Sequence, residues 1–401
     1  MNQSIHYLQE LVKLPTVNGH EEIVADYLEK LLKTHHISVK RIPFNKGRVN
    51  LVAEIGEGNG PVLAFDGHSD VVHPGDESSW TYPPFSGTVV DGKLYGRGVT
   101  DMKAGLMAAV IAMIRLKNKN IAIQGTIRLL VTVGEEIGLY GAQQLAEMGY
   151  ADDIESLVVC EPSGVTRTLA LQNPKLASGL DPNGPDEQRL IFIAHKGSLT
   201  YQVIAKGKAA HSSMPELGKD AIAALVAYYN AQAVYFNQVQ VRDDILGEMT
   251  PVVTMIAGGE QENTVADSAQ LTTKIRTIPE LSNAELLNDL TKLTEQISQE
   301  LGVELVLSVQ QNALPVKSNP TSKIAQLTQK IAENHFSDKV PLMGISGCTD
   351  ASKFIEKNPS INVVVLGPGN QTAHQIDEYV SLEAYAACID CYEDIMIDYF
   401  K

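Results

Sequence analysis

The stretch PVLAFDGHSD at residues 61–70 constrains the fold more than any other: an apolar run that ends on a histidine and an acid. Two-residue spacing along an extended strand puts the His68 imidazole and the Asp70 carboxylate on one side. A histidine that holds a metal usually donates its second ring N–H to a carboxylate, which fixes the tautomer and makes the other nitrogen a better ligand. The pair reads as a ligand with its orienting partner. A second stretch, GRGVTDMKAG at 96–105, belongs with it.

Around these stretches, helical and extended patterns alternate. Amphipathic helices are expected over 4–14, closed by Pro15, and over 20–35, with extended runs at 39–43 and 50–55. Residues 71–92 form a long irregular segment that carries the single tryptophan, Trp80, and loops of this length usually have a function. From Asp101 the segment MKAGLMAAVIAMIRL has almost no polar face and predicts a buried helix. A central strand over 124–133 runs into Gly134-Glu135-Glu136, and a short one over 157–160 runs into Glu161-Pro162-Ser163. Polar residues gathered at strand ends, between helices, predict an α/β sheet with its site outside the carboxyl edge.

The pattern changes near His195. Over 197–310 the order becomes β-α-β-β-α-β, as in a compact ferredoxin-like domain, and the earlier pattern resumes after Asn319. The expected organisation is a catalytic domain over 1–194 and 313–401, interrupted by a smaller ferredoxin-like α+β domain over 195–312. A length of 401 residues fits two domains at roughly 100–200 residues each.

Composition narrows the function classes. With 44% hydrophobic and 20% charged residues the chain is expected to be globular, and a net charge of −16 argues against nucleic-acid binding, which needs clustered Lys and Arg. The N-terminus lacks a basic segment followed by an apolar core, and the longest apolar run, 105–114, is far short of the ~18 residues that span a bilayer. A cytoplasmic protein without membrane contact is expected. Cys160, Cys348, Cys388 and Cys391 are too few and scattered for a disulfide framework, and the CxxC pair Cys388/Cys391 reads as two packed thiols. The GxG at 367–369 reads as a turn, because no GxGxxG follows.

His68, Asp101, Glu136, Glu161 and His374 sit beside Gly, Pro, Ser or other breaks at element ends, where they can converge. Two imidazoles and three carboxylates suit zinc, or cobalt or manganese, better than calcium. One carboxylate can bridge, so five ligands suffice for two ions. The ions' four positive charges against three carboxylates leave net positive charge to polarise an amide carbonyl and acidify a water. Glu135, beside Glu136, is then the candidate general base.

HSD at 68–70, GRGVTDMKAG at 96–105, GEE at 134–136, EPS at 161–163 and AHSSMPELGKDA at 210–221 resemble the M20 metallopeptidase and deacylase family. The resemblance runs in order over nearly the whole chain and implies an α/β, zinc-exopeptidase-like catalytic domain with a mixed sheet, the inserted domain over 195–312 serving as lid and dimerisation domain. It implies that Asp101 bridges two ions, that His68 and Glu161 hold one and Glu136 and His374 the other, that Asp70 orients His68, and that Glu135 is the base. It implies a cis peptide at Asp101–Met102 and a homodimer in which His211 reaches the partner's site to stabilise an oxyanion. It places Asn263 and Arg276 at a substrate carboxylate, and Gly347, Cys348 and Thr349 at substrate. The implied activity is hydrolysis of the linear amide of a small N-acylated amino acid, with succinyl-diaminopimelate leading and acetylornithine second. Other aminoacylases and dipeptidases are the alternatives within the family, and a non-catalytic metal-dependent binding module the alternative outside it. Asp377 in HQIDEYV leans toward acetylornithine, whereas GCTDASKF and the insert over 172–188 lean toward succinyl-diaminopimelate.

Overall fold

The computed structural model describes residues 2–172, 180–181, 183–336 and 339–401; the insert over 172–188 lies partly outside them, and no structural test of it follows. Contacts divide the chain into two compact units, Met1–Ala194 with Lys317–Gly344 and Thr349–Lys401, and His195–Val316 with Ile345–Cys348.

The first unit is built on a mixed sheet in the order Ser38–Asn45, Arg48–Gly56, Thr126–Thr132, Val62–His68, Ile154–Val159, Asn362–Val365, Ile191–His195. Its four middle strands are parallel, with His68 opposite Thr132, Asp66 opposite Val159 and Val365 also opposite Val159. All four therefore end on one edge. Each carries a run of consecutive apolar residues, as parallel strands buried on both faces require. Thr126–Thr132 and Val62–His68 are buried along their whole length.

The expected buried helix spans Ala104–Asn118 and packs against Leu382–Asp398. It starts three residues after Asp101. Val99–Lys103 instead form a wide turn in which Asp101 (φ −122°, ψ 93°) and Met102 (φ −134°, ψ 32°) leave helical dihedrals, and the Asp101–Met102 peptide is cis. The helix then crosses the end of Ile154–Val159 so closely that a Cβ on Gly105 would stand 1.9 Å from the Cys160 carbonyl oxygen. Only glycine fits there. The GxG at 367–369 is likewise a close approach: a Cβ on Gly367 would meet the Cys160 oxygen at 2.4 Å, and one on Gly369 the Thr100 oxygen at 2.4 Å. Neither glycine has a positive φ, so backbone proximity rather than turn geometry selects them. Cys388 and Cys391 are buried free thiols on the last helix.

The second unit holds an antiparallel sheet in the order Thr250–Gly258, Ser268–Arg276, Ser198–Lys206, Glu304–Ala313, with helices Ala221–Gln238 and Asn283–Leu301. Strands two and three of the chain lie on one side of strand one, and strand four on the other, the ferredoxin-like arrangement. Leu199, Tyr201 and Val203 pack with Leu225, Tyr228, Leu286 and Leu290 to make its own core. Asn283–Leu301 begins in a capping box between Ser282 and Glu285 and ends at Gly302 with φ 62°.

Candidate metal centre

Each middle strand delivers one part of the site. Thr126–Thr132 continues through Val133 to Gly134, whose φ of 68° is open to glycine, and a Cβ there would meet Arg48 Nη2 at 2.7 Å. The turn puts Glu135 and Glu136 at the start of the short helix Glu135–Gly138. Glu161 follows Ile154–Val159 and Cys160, and the chain beyond Asn362–Val365 returns as the loop bearing His374 (φ 64°).

Asp101 faces a different histidine with each oxygen. Its Oδ1 is 3.0 Å from His68 Nε2, and its Oδ2 is 3.2 Å from His374 Nε2. His68 Nε2 is also 3.5 Å from Glu161 Oε1, and His374 Nε2 is 3.0 Å from Glu136 Oε1. Two donors held tetrahedrally at zinc–ligand distances of ~2.1 Å stand about 3.4 Å apart, so both clusters have the spacing of donors that share an ion. Donor atoms of His68, Asp101 and Glu136, and of His68, Glu135 and Glu161, form groups within 4.8 Å. Nitrogen and oxygen donors in this mixture fit a borderline divalent cation.

The electrostatics agree. Burial, and then the charge of Asp101, pushes Glu161 up to about 8. Burial also raises Glu136 and drives Glu135 well above the ordinary carboxylate range. For Asp101, burial is outweighed by hydrogen bonds from His374 and His68, and its pKa falls. Hydrogen bonds to Asp101 and Glu136 raise His374 to about 10. Acids that hold protons in one another's presence release them to a cation, which links metal binding to folding.

Asp70 does not meet His68 in the expected way. The His68 Nδ1–H donates to the Asp70 carbonyl oxygen at 2.9 Å, while the nearer carboxylate oxygen is 3.7 Å away. The strand ends at His68, so alternation no longer sets the direction of residue 70. The ring is still oriented: a carbonyl only accepts, so Nδ1 carries a proton, and Nε2 is the nitrogen turned toward Asp101 and open to an ion. The Asp70 carboxylate instead accepts the N–H groups of Glu135 and Glu136, each at 3.2 Å.

Several residues at the site escape a reading of the sequence. Glu378 is fully buried, ion-paired with Arg97, and hydrogen-bonded to the backbone ahead of Asp101. Asp350 accepts from Thr132 Oγ1 at 2.6 Å, and burial raises it to about 7. Asp66, two residues before His68 on the same strand face, is also buried, and its carboxylate oxygens have no hydrogen-bond partner among the described residues. Asp350 and Glu378 lie inside the GCTDASKF and HQIDEYV segments, but nothing in either segment marks which residue each carboxylate meets. Asp377, which leaned toward acetylornithine, accepts from the Thr81 N–H (2.8 Å) and Oγ1 (2.7 Å), tying the Trp80 segment to the His374 loop.

The remaining candidates divide between the units. Thr349 is buried in the first. Gly347, exposed, and Cys348, half-buried, belong to the second. There His211 and Asn263 adjoin, since Ala210–His211 pairs with Thr264–Val265 and the Ser212 N–H donates to the Asn263 oxygen at 2.8 Å. His211 is exposed, and its Nδ1 lies 2.8 Å from Ser213 Oγ and accepts from the Ser213 N–H at 3.2 Å. Arg276 ends the strand Ser268–Arg276, half-buried. Among the described residues no helix is long and apolar enough to cross a membrane.

A family model for peptidase family M20/M25/M40 matches residues 64–398. A protein of Staphylococcus epidermidis named probable succinyl-diaminopimelate desuccinylase is 37% identical over 99% of this chain and 98% of its own length. Among solved structures, an aminopeptidase PepT from Bacillus cereus superposes with a TM-score of 0.75 at 22% identity, covering 99% of this chain and 98% of that one. The YXEP protein of Bacillus subtilis, described as a dinuclear metal-binding peptidase, superposes with a TM-score of 0.71 at 17% identity, covering 100% and 98%. At these identities the two structures speak for the fold.

Proposed function

The chain belongs to peptidase family M20/M25/M40, and from that premise we propose that it hydrolyses the amide of N-succinyl-diaminopimelate with two divalent ions, zinc first, cobalt or manganese otherwise. The observation that carries the two-ion chemistry is Asp101, whose oxygens lie 3.0 and 3.2 Å from two different histidines. The substrate rests on relatives of that name matched over their full length.

His68, Glu161 and Asp101 would hold one ion, and Glu136, His374 and Asp101 the other. When bound, the ions polarise the amide carbonyl and acidify a water. The chain does the rest. Asp70 pins the backbone of Glu135 and Glu136, which sets the Glu135 carboxylate to take the proton of the attacking water and return it to the leaving amine. His211 would donate from Nε2 to the developing oxyanion. Asn263 and Arg276 would hold a carboxylate of the substrate, for which a guanidinium fork is suited, and Gly347, Cys348 and Thr349 would line the substrate's path.

The second unit would serve as lid and dimerisation domain, with a second copy of the chain as partner. Its edge strand Thr250–Gly258 leaves Val252, Met255 and Ile256 at 50%, 66% and 60% exposure, and helix Ala221–Gln238 leaves Ile222, Val226, Tyr229 and Val234 exposed. An open edge with apolar side chains is a template for another strand. Light scattering should find wild type as a dimer and Ile256→Asp shifted to monomer; a monomeric wild type at assay concentration removes this role.

The direct test is amine release from N-succinyl-diaminopimelate, N-acetylornithine, N-acetylmethionine and a dipeptide, with zinc or cobalt and with chelator. We expect kcat/KM for the succinyl substrate to exceed the others by roughly 10⁴-fold, as for sites that pair a substrate's polar groups. Chelator should abolish it and added metal restore it. Preference for N-acetylornithine would move the assignment to that substrate, and no turnover with two ions bound would favour a binding module.

A further inference from the structure

Glu378 lies four residues after His374, in the same loop, and its carboxylate is filled by donors from the segment that leads into Asp101. Oε2 accepts from Arg97 Nη1 at 2.5 Å and from the Gly98 N–H at 2.9 Å. Oε1 accepts from the Thr100 N–H at 2.8 Å and the Asp101 N–H at 3.1 Å. The residue is fully buried. Neighbouring bonds run between the same two segments: the Gly96 N–H donates to the Glu378 carbonyl at 2.9 Å, and Thr100 Oγ1 to the Tyr379 carbonyl at 2.5 Å. Behind the clamp, the Arg97 guanidinium lies over the Trp80 ring at 5.2 Å.

This arrangement explains why no helix starts at Asp101. A helix would turn the N–H groups of residues 98–101 along its axis; the carboxylate gathers three of them to one point instead, and the chain opens into the wide turn that aims Asp101 between the two histidines. We infer that Glu378 is a positioning residue for the shared ligand: by holding the Asp101 turn to the His374 loop, it sets the Asp101 carboxylate between His68 and His374 so that one side chain serves both ions. Its carboxylate is taken up by Arg97 and the N–H groups of Gly98, Thr100 and Asp101, not by the imidazoles and carboxylates that would hold the ions. The inference rests on the two-metal reading above, to which it adds the part that fixes the bridge.

A purely structural clamp would lower stability and leave metal binding alone, so the test reads both. Glu378→Gln keeps the shape but replaces one acceptor oxygen with an NH2 donor that faces another N–H. Full-length wild type and Glu378→Gln, stripped of metal, would be titrated with zinc chloride by calorimetry, loaded with cobalt(II) for absorption spectra, and melted. Two ions on wild type, zinc affinity weakened roughly tenfold or more in the variant, a changed cobalt spectrum and kcat reduced with KM little altered are the expected result. Glu378→Asp, which retains both acceptors on a shorter arm, should recover part of the affinity. If the variant melts earlier yet binds both ions with wild-type affinity and an unchanged cobalt spectrum, Glu378 is structural and the inference is overturned while the two-metal reading stands. Fewer than two ions on wild type overturns both.

Discussion

Glu135→Ala is expected to leave two ions on each chain and to reduce kcat by roughly 10²–10⁴-fold, the usual worth of a positioned general base. The expectation follows from where the residue stands. Glu135 lies within ligand-like distance of His68 and Glu161, yet the shared oxygens of Asp101 already complete each histidine–carboxylate pair without it. Its backbone is fixed by Asp70, and its side chain is free to work on a water rather than on an ion. Burial drives its carboxyl well above the ordinary carboxylate range, the direction a carboxylate needs to hold a proton in transit. Rate and metal content must be measured on the same preparation. Near wild-type turnover would remove the base assignment, whereas loss of one ion would make Glu135 a ligand.

Asp101→Ala should have the largest effect on metal content. With the bridge gone, His68 retains Glu161 and His374 retains Glu136, two donors for each ion, and the three carboxylates that offset the ions' charge become two. Elemental analysis after exhaustive dialysis should give one ion or fewer per chain, and turnover should fall below detection. The variant should also melt at a lower temperature than wild type in excess zinc, because a site that binds only the folded chain stabilises it by about 2.7 kcal/mol at one hundred times its Kd. Two tightly bound ions in Asp101→Ala would contradict the bridge.

These two side chains show how far local pattern reaches. The run from Val62 to His68 is apolar at every step before its acid because it is covered on both faces, and that environment is written in consecutive residues. The strand that runs into Gly134-Glu135-Glu136 and the apolar helix after Asp101 are readable for the same reason: burial and strand ends each demand residue types in sequence. The relation of Asp70 to His68 departs from the local rule because Asp70 lies two residues past the end of the strand.

What only the tertiary structure decided is which atoms meet. Asp101 sends its oxygens to histidines 33 and 273 residues away in the chain, counted from the residue numbers 68, 101 and 374. Glu378 finds its partners 277 to 281 residues back, and three of the four are backbone N–H groups. A backbone amide is the same in nearly every residue, so nothing in the sequence marks it as a carboxylate's partner. The residue types and strand ends were set by short-range physics that periodicity records; the clamp on Asp101 exists only once the sheet brings two distant segments to the same edge.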